Sequence, residues 1–269
     1  MDIIKMQSGA IRPLTNMLPR KLFNSDHDAF RETVRKFYEK EVVPNIAKYE
    51  QQQHVDRDLW NKAGEMGLLC ATMPEEYGGY GVDRLYSMIL IEEQAYAMDS
   101  STGFSLHSDI VANYINNFGN EEQKKHWIAK MASGETVTAI AMTEPGTGSD
   151  LQGVRTTAVL DGDEYVINGS KIFITNGYLC DMAIVVCKTG SSEKGSANLS
   201  LIIVEADRAG FSKGKPLNKI GMKGQDTCEL FFEDVRVPKE NLLGMEGMGF
   251  MMLMKELAWE RMLVAIICQ

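Results

Sequence analysis

Apolar residues recur at three- and four-residue intervals through the first half of the chain. Phe30, Val34 and Phe37 show this spacing, and the pattern returns several times further along. Such spacing places apolar side chains on one face of an α-helix. Pro44 interrupts the first stretch, because proline removes a backbone donor inside a helix. The pattern predicts an N-terminal α-helical domain over residues 22–134.

Beyond Gly134 the chain changes to short β-branched runs separated by turn residues. These runs predict strands at residues 136–142, 154–160, 164–167, 171–175, 183–188, 199–205 and 227–237. Asp161-Gly162 and Asn168-Gly169 lie between runs and predict tight hairpins, because type I′ turns require positive φ at both central residues. Strands without intervening helices favour an antiparallel β-barrel or sandwich, here over residues 135–240. Gly190–Ala197, rich in serine and glycine, is expected to form an exposed loop.

The last stretch of the chain, residues 241–269, returns to a helical pattern from Phe250 onward. Its apolar positions extend to Cys268 without a helix stop signal. Because an apolar helix requires a partner to bury it, we expect a further domain or another subunit to cover it. The predicted fold class is α+β, and this helix is the start of a C-terminal helical domain that looks truncated.

The charge balance argues against one function class. The chain carries 37 acidic and 28 basic residues, for a net charge of −9, and lacks the clustered lysines and arginines of nucleic-acid binding proteins. Five cysteines without a C-x-x-C pair and four scattered histidines give no pattern for a disulfide framework or a metal site. No apolar run reaches the roughly 18 residues of a membrane span. We therefore expect a soluble protein of the bacterial cytoplasm, or of the mitochondrial matrix if it is eukaryotic.

Three motifs occur in order along the chain: Ala141–Asp150 (AMTEPGTGSD), Lys171–Gly177 (KIFITNG) and Phe231–Pro238 (FFEDVRVP). Together they resemble the acyl-CoA dehydrogenase family, and the resemblance runs from about Leu22 to the end of the chain. The segment Glu256–Ala265 is most similar to the long-chain branch of that family, with the isovaleryl-type enzymes next. The resemblance implies a helical domain, a β domain and further helices, in that order.

The resemblance also implies an FAD site between two neighbouring strands. A flavin needs an aromatic wall for its flat ring and hydrogen-bonding groups for its edge. Strand alternation puts Phe173 and Thr175 on one face, where the first can cover the ring and the second can bond a ring nitrogen. Taken alone, these residues and the nearby glycines favour an ordinary core aromatic beside a strand threonine and a plain β-turn. The cofactor-binding residues implied by the family are Ile140, Ala141, Met142, Thr143, Gly148, Ser149, Phe173, Ile174 and Thr175.

Glu260 is the candidate catalytic base. Removal of a weakly acidic C–H beside a thioester requires a carboxylate dry enough for its basicity to be raised, and Glu260 lies on a largely apolar helix. In the family the base sits either in this helix or in a loop far downstream, and Glu260 matches the first position. The competing interpretation is a surface glutamate paired with Arg261 or Lys255. The candidate substrate-binding residues are Ser149, Met251 and Arg261.

The implied activity is FAD-dependent α,β-dehydrogenation of a medium- to long-chain acyl-CoA to trans-2-enoyl-CoA, as in fatty acid β-oxidation. The family passes the electrons to an electron-transferring flavoprotein, and the full-length protein is expected to be a homotetramer or homodimer. One alternative is a branched short-chain, isovaleryl-type dehydrogenase. A second is a truncated, flavin-free inactive scaffold, because the family draws part of its FAD contacts from helices beyond the position of Gln269. A chain that ends at Gln269 is therefore expected to retain flavin weakly or not at all.

Overall fold

Helices form the first half of the protein. The computed structural model describes residues 20–190 and 198–268. In these ranges the helices before the sheet are α1 (Ser25–Phe37), α2 (Ile46–Gln52), α3 (Arg57–Glu65), α4 (Arg84–Tyr96), α5 (Ala112–Phe118) and α6 (Glu121–Ala132). A π-helical turn (Tyr38–Val42) and a 3-10 turn (Val43–Asn45) carry the chain past Pro44. A second π-helical segment, Leu106–Val111, leads directly into α5. The predicted helical region is confirmed.

The helices pack through their apolar faces around aromatic side chains. Phe37 on α1 is buried, as the spacing predicts, and Trp60 packs edge-on against Phe104 with 4.9 Å between ring centroids. Asn24 caps α1, because its side-chain oxygen accepts the His27 N–H while its own N–H donates to His27 Nδ1. A cap of this kind stabilises a helix by about 1 kcal/mol.

A mixed sheet follows the helices. Its strands are β1 (Thr138–Ala141), β2 (Thr157–Asp161), β3 (Glu164–Thr175), β4 (Met182–Lys188), β5 (Leu199–Glu205), β6 (Phe211–Lys213), β7 (Thr227–Pro238) and β8 (Leu242–Leu243). The strand order is β6-β7-β3-β2-β4-β5-β8, and β1 pairs with β4 off this path. The short strand β6 was not predicted. Of the expected loop Gly190–Ala197, residues 191–197 lie outside the described ranges.

The strand directions differ in part from the antiparallel prediction. Most pairs are antiparallel, but β1 runs parallel to β4, and β2 meets β4 in one parallel pair, Thr157 with Lys188. The parallel pairing arises because the β2–β3 hairpin is inserted between β1 and its partner along the chain. The strand order ends at β6 on one side and at β8 on the other, so the sheet is open rather than a closed antiparallel barrel, and the α+β class is confirmed.

One predicted hairpin is confirmed and the other is wrong. Asp161 pairs with Glu164 across the two-residue turn between β2 and β3. Gly162 has φ +65° but Asp163 has no positive φ, so the turn is not of the expected type I′. Asn168 and Gly169 lie instead inside the continuous strand β3, at a bulge against β7. Asn168 holds this bulge by exchanging hydrogen bonds of 2.9 Å with Asp234. Because β7 pairs with β3 on both sides of the dipeptide, the chain bulges there and does not turn back.

The last helix, α7 (Gly249–Ile267), packs on β5, α4, α5 and the preceding π-helical segment. Its entry needs glycine, because a Cβ on Gly249 would lie 2.7 Å from the Leu199 carbonyl oxygen. The apolar side chains that remain exposed on α7 are Met251, Met254, Met262, Val264 and Ile267. These are the side chains that the expected further domain or subunit would cover. Within residues 20–190 and 198–268, none of the helices has both the length and the apolar character needed to cross a bilayer.

Candidate active site

The end of β1 and the middle of β3 lie side by side. The Ile172 N–H donates to the Thr143 carbonyl oxygen at 2.9 Å. The Lys171 ammonium group donates to the Met142 carbonyl oxygen at 3.0 Å and to Glu144 Oε1 at 2.9 Å. Two motifs that are far apart in sequence are thereby joined in one place.

Glu144 and Lys171 form a buried ion pair at this junction. Glu144 also accepts the backbone N–H groups of Arg155 at 2.6 Å and Thr156 at 2.9 Å, one on each carboxylate oxygen. Burial by itself would raise the pKa of Glu144, but the donors from Thr156 and Lys171 outweigh burial and lower it. The ionised carboxylate therefore ties the loop after β1 both to β3 and to the residues that precede β2.

Phe173 projects from β3 in an unusual backbone conformation. Its φ is +61° and its side chain is 63% exposed. A left-handed conformation costs a non-glycine residue about 1–2 kcal/mol. The register between β3 and β7 shifts between Lys171 and Ile174, so the strand is irregular where Phe173 projects. Ile174 is buried, whereas Thr175 is half-buried.

The glycine-rich loop after β1 is open to solvent. Glu144 and Thr147 close a tight turn by exchanging backbone hydrogen bonds of 2.9 and 3.1 Å. A Cβ on Gly146 or Gly148 would meet no atom within 4 Å, so packing within the chain does not require glycine there. Ser149 is exposed. Open backbone of this kind allows a ligand to approach closely.

The predicted cofactor residues divide into two groups. Ile140 and Ala141 lie in the cores on opposite faces of β1, and Ile174 is buried in the second of these cores, so these three offer a ligand only their backbone. The side chains that reach the surface are those of Met142, Thr143, Ser149, Phe173 and Thr175.

Glu260 lies on α7 and turns toward α5. The Tyr114 hydroxyl donates to Glu260 Oε1 at 2.7 Å. One helical turn earlier, Glu256 Oε1 accepts from the Asn117 amide at 2.8 Å. Burial raises the pKa of Glu260 above its ordinary value, the bond from Tyr114 lowers it, the charge of Glu256 raises it and Arg261 lowers it. The net direction is upward, which makes Glu260 a stronger base than a carboxylate in water.

Trp259 anchors α7 next to Glu260. Its indole Nε1 donates to the Asp109 carbonyl oxygen at 3.0 Å, and the Arg84 guanidinium carbon lies 4.0 Å from its ring centroid. Asp109 belongs to the π-helical segment before α5, and Ser87 Oγ donates to its buried carboxylate at 2.5 Å. Burial raises the pKa of Asp109 to about 6. Helical irregularities of this type are frequent at functional sites.

Sequence reasoning did not single out Asn117 or Asp109, and it treated Tyr114 only as an apolar position of a helix. A signal was present, because polar groups three residues apart on α5 and four residues apart on α7 share a helix face. A single sequence does not show which helix faces which. The tertiary structure supplied that information.

Of the predicted substrate residues, Met251 and Arg261 lie on α7, whereas Ser149 lies on the loop after β1. Met251 lines a groove of about 400 Å³ between α5 and the start of α7. Arg261 is exposed. In the described part of the chain the hydrogen-bond partner of Glu260 is Tyr114 rather than Arg261 or Lys255. Residues 20–190 and 198–268 contain no group of three or more His, Cys, Asp and Glu side chains placed to hold a metal ion.

Comparison with known proteins identifies the family. The acyl-CoA dehydrogenase N-terminal domain matches residues 24–135, and the middle domain of the same family matches residues 139–235. The chain belongs to the acyl-CoA dehydrogenase family. It is 52% identical to the mitochondrial long-chain specific acyl-CoA dehydrogenase of Sus scrofa. The aligned 262 residues are 97% of this chain and 61% of that protein. It is 37% identical over 266 residues to the mitochondrial isovaleryl-CoA dehydrogenase of Oryza sativa, over 98% of this chain and 65% of that protein.

Solved structures of the family share the fold. An acyl-CoA dehydrogenase from Geobacillus kaustophilus superposes with a TM-score of 0.90 at 47% identity, over 93% of this chain and 66% of that chain. An acyl-CoA dehydrogenase complexed with FAD from Bacillus anthracis superposes with a TM-score of 0.84 at 38% identity, over 93% of this chain and 43% of that chain. The predicted resemblance, with the long-chain branch first and the isovaleryl-type enzymes next, is confirmed. The chain spans about 61% of the length of the long-chain relatives that it matches.

Proposed function

We propose that this chain carries the base and most of the flavin-facing surface of an FAD-dependent acyl-CoA dehydrogenase acting on medium- to long-chain substrates. The observation that carries the proposal is Glu260, a partly buried carboxylate with a raised pKa that is held in place by a donor from a neighbouring helix. A surface glutamate in water has neither property. The 52% identity to a long-chain specific relative supports the substrate class.

The junction of β1 and β3 fits a flavin. Phe173 offers an exposed aromatic face, and Met142, Thr143 and the open loop at Gly148 offer backbone and hydroxyl groups beside it. Ser149 is exposed at the end of that loop, where it is available to the flavin phosphates. When bound, FAD would supply the acceptor for the β-hydrogen as hydride.

Glu260 would remove the proton from the α-carbon of the acyl thioester. A general base works best when its pKa lies near the working pH, and burial moves Glu260 in that direction. The proton ends on the carboxylate as the α,β double bond forms. The released product would be a trans-2-enoyl-CoA.

Substrate contacts are proposed for Ser149, Met251 and Arg261. Met251 stands at an apolar groove whose other walls include Met245, Met248 and Met252. Flexible methionine side chains adapt to long apolar ligands. Arg261 is exposed beside the base, where its positive charge can act on an anionic ligand or on Glu260.

We also propose that the electrons pass to an electron-transferring flavoprotein and that the full-length protein is a homotetramer or homodimer. The exposed apolar residues Met254, Met262 and Val264 on α7 support a covering domain or subunit. The five cysteines are free thiols, four of them buried, which is consistent with the bacterial cytoplasm or the mitochondrial matrix.

The test is the visible absorption spectrum of the full-length protein, incubated with FAD and then freed of unbound FAD, before and after anaerobic addition of a long-chain acyl-CoA. We expect a flavin spectrum that bleaches, faster with long straight chains than with short ones. Bleaching by isovaleryl-CoA alone would assign the branched short-chain activity instead. A protein that is colourless after incubation with FAD and removal of the unbound FAD would support the inactive scaffold.

A further inference from the structure

Two hydrogen-bonded pairs of polar side chains join α5 to α7. Tyr114 and Asn117 are three residues apart on α5, while Glu256 and Glu260 are four residues apart on α7, so each pair occupies one helix face. The hydroxyl of Tyr114 reaches Glu260 at 2.7 Å, and the amide of Asn117 reaches Glu256 at 2.8 Å. In both pairs the donor belongs to α5 and the carboxylate to α7.

The π-helical segment Leu106–Val111 sets the rotation of α5. A π-helical turn holds more residues than an α-helical turn, so it changes the face that every later residue presents. This segment is itself fixed to α7, because the Asp109 carbonyl oxygen accepts the Trp259 indole N–H at 3.0 Å. The Tyr114 side chain is buried at this helix interface, which leaves its ring little freedom to turn away from Glu260.

We propose that Tyr114 is a positioning residue for Glu260, an inference that rests on the function proposed above. Its hydroxyl occupies Oε1, so that Oε2 is the oxygen that receives the α-proton. The Asn117–Glu256 pair keeps a second carboxylate one helical turn from Glu260, and the negative charge of that carboxylate opposes ionisation of Glu260.

The groups that face Glu260 act in opposite directions on its pKa. Burial and the charge of Glu256 raise the pKa, whereas the donor from Tyr114 and the charge of Arg261 lower it. Loss of the Tyr114 hydroxyl should therefore raise the pKa of Glu260. Loss of the Glu256 charge should lower it.

The other elements that pack on this part of α7 add a charged group and a buried acid. Arg84 of α4 stacks on the Trp259 ring, and Asp109 of the π-helical segment accepts the indole N–H through its backbone. Neither group hydrogen bonds to Glu260. Both are unchanged in the variants below.

The experiment is an NMR titration of the chain labelled with ¹³C at the glutamate carboxyl groups, in which the spectrum of Glu260→Gln assigns Glu260. We expect Glu260 to titrate at higher pH than wild type in Tyr114→Phe and at lower pH in Glu256→Gln. The matched control is Tyr77→Phe, which removes a hydroxyl that donates to Glu121 at 2.8 Å in a separate pair. Glu260 should titrate in that variant as in wild type.

A second measurement needs no variant at Tyr114. The ¹³Cζ resonance of Tyr114 in the wild-type chain should shift with the same midpoint as the Glu260 carboxyl, because a hydrogen bond joins the two groups. A Tyr114 resonance without that midpoint overturns the proposal. So does a Glu260 titration that is unchanged in Tyr114→Phe or moves the same way in both variants.

These titrations need neither flavin nor turnover, so they are independent of the test of the function. In the active holoenzyme, Tyr114→Phe should also move the acid limb of the pH profile of kcat/KM to higher pH, which damage to packing alone would not do. An acid limb that stays in place in Tyr114→Phe, in an enzyme that still depends on Glu260, overturns the positioning role.

Discussion

Lys171 Nζ lies 2.9 Å from Glu144 Oε1 inside the protein, with both side chains withdrawn from water. The same ammonium group donates to the Met142 carbonyl oxygen, so the pair fastens the end of β1 to β3. Phe173 projects only two residues further along β3. The ion pair therefore supports the proposed flavin surface from within and does not belong to that surface.

Lys171→Met should destabilise the protein by about 3–5 kcal/mol, because it leaves the carboxylate of Glu144 buried without its cation. Urea unfolding followed by circular dichroism measures the change. The double variant Lys171→Met, Glu144→Gln should recover part of the loss, because the neutral amide removes the buried charge and its oxygen still accepts a backbone N–H. The control is Lys239→Met, which breaks an exposed pair with Asp163 and should change stability by less than about 1 kcal/mol.

Glu260→Gln should lower the rate at which an acyl-CoA bleaches the flavin by at least about a hundredfold, because an amide cannot take up the α-proton. Binding of a 2-enoyl-CoA should change little, since the side chain keeps its size and its acceptor oxygen. Anaerobic stopped-flow absorbance measures the rate, and ligand titration measures the affinity. Glu122→Gln, an exposed position on α6, is the control. Normal bleaching in Glu260→Gln would place the base elsewhere.

Phe173→Gly should separate stability from flavin binding. Glycine relieves a left-handed strain of about 1–2 kcal/mol but adds about 0.5–1 kcal/mol of unfolded-state entropy, so the unfolding free energy should change by no more than about 1.5 kcal/mol. FAD affinity should fall by about tenfold or more because the aromatic wall is lost. Phe173→Trp keeps an aromatic wall and should keep the affinity. A flavin fluorescence titration measures the FAD affinity. Equal affinity in wild type and both variants would mean that Phe173 does not contact the flavin.

Asp109→Asn should change the pH dependence of stability. The pKa of Asp109 is raised by burial from an ordinary 3.8 to about 6, so between about pH 4 and about pH 6 the folded protein holds a proton that the unfolded chain has released. The stability due to this group therefore falls as pH rises through that window. The free energy of unfolding of the variant, relative to that of wild type, should therefore rise by up to about 3 kcal/mol between about pH 4 and about pH 7.

Urea unfolding of both proteins at several pH values checks this expectation. Asp226, whose pKa burial also raises to about 6, is present in both proteins, so its contribution cancels in the difference. A difference in unfolding free energy that does not change with pH would mean that Asp109 ionises in the folded protein as it does in water.

The sequence pattern predicted the parts of the fold that depend on local spacing. Helical periodicity located the helices on both sides of the sheet, and Asp161-Gly162 marked a true hairpin because a two-residue turn depends on the local chain. Asn168-Gly169 has the same composition and forms a bulge instead, because β7 pairs with β3 on both sides of it. Local composition does not reveal that long-range pairing. The parallel pairing of β1 with β4 was missed for the same reason.

The candidate site divides in the same way. The motifs that contain Thr143, Phe173 and Glu260 could be read from the chain itself, and their resemblance to the acyl-CoA dehydrogenase family suggested a flavin surface and a base on an apolar helix. The contacts that tune that base, from Tyr114 and from the neighbouring Glu256, depend on how α5 and α7 face each other. Helix rotation and strand direction are set by packing between distant segments, so only the tertiary structure decided them.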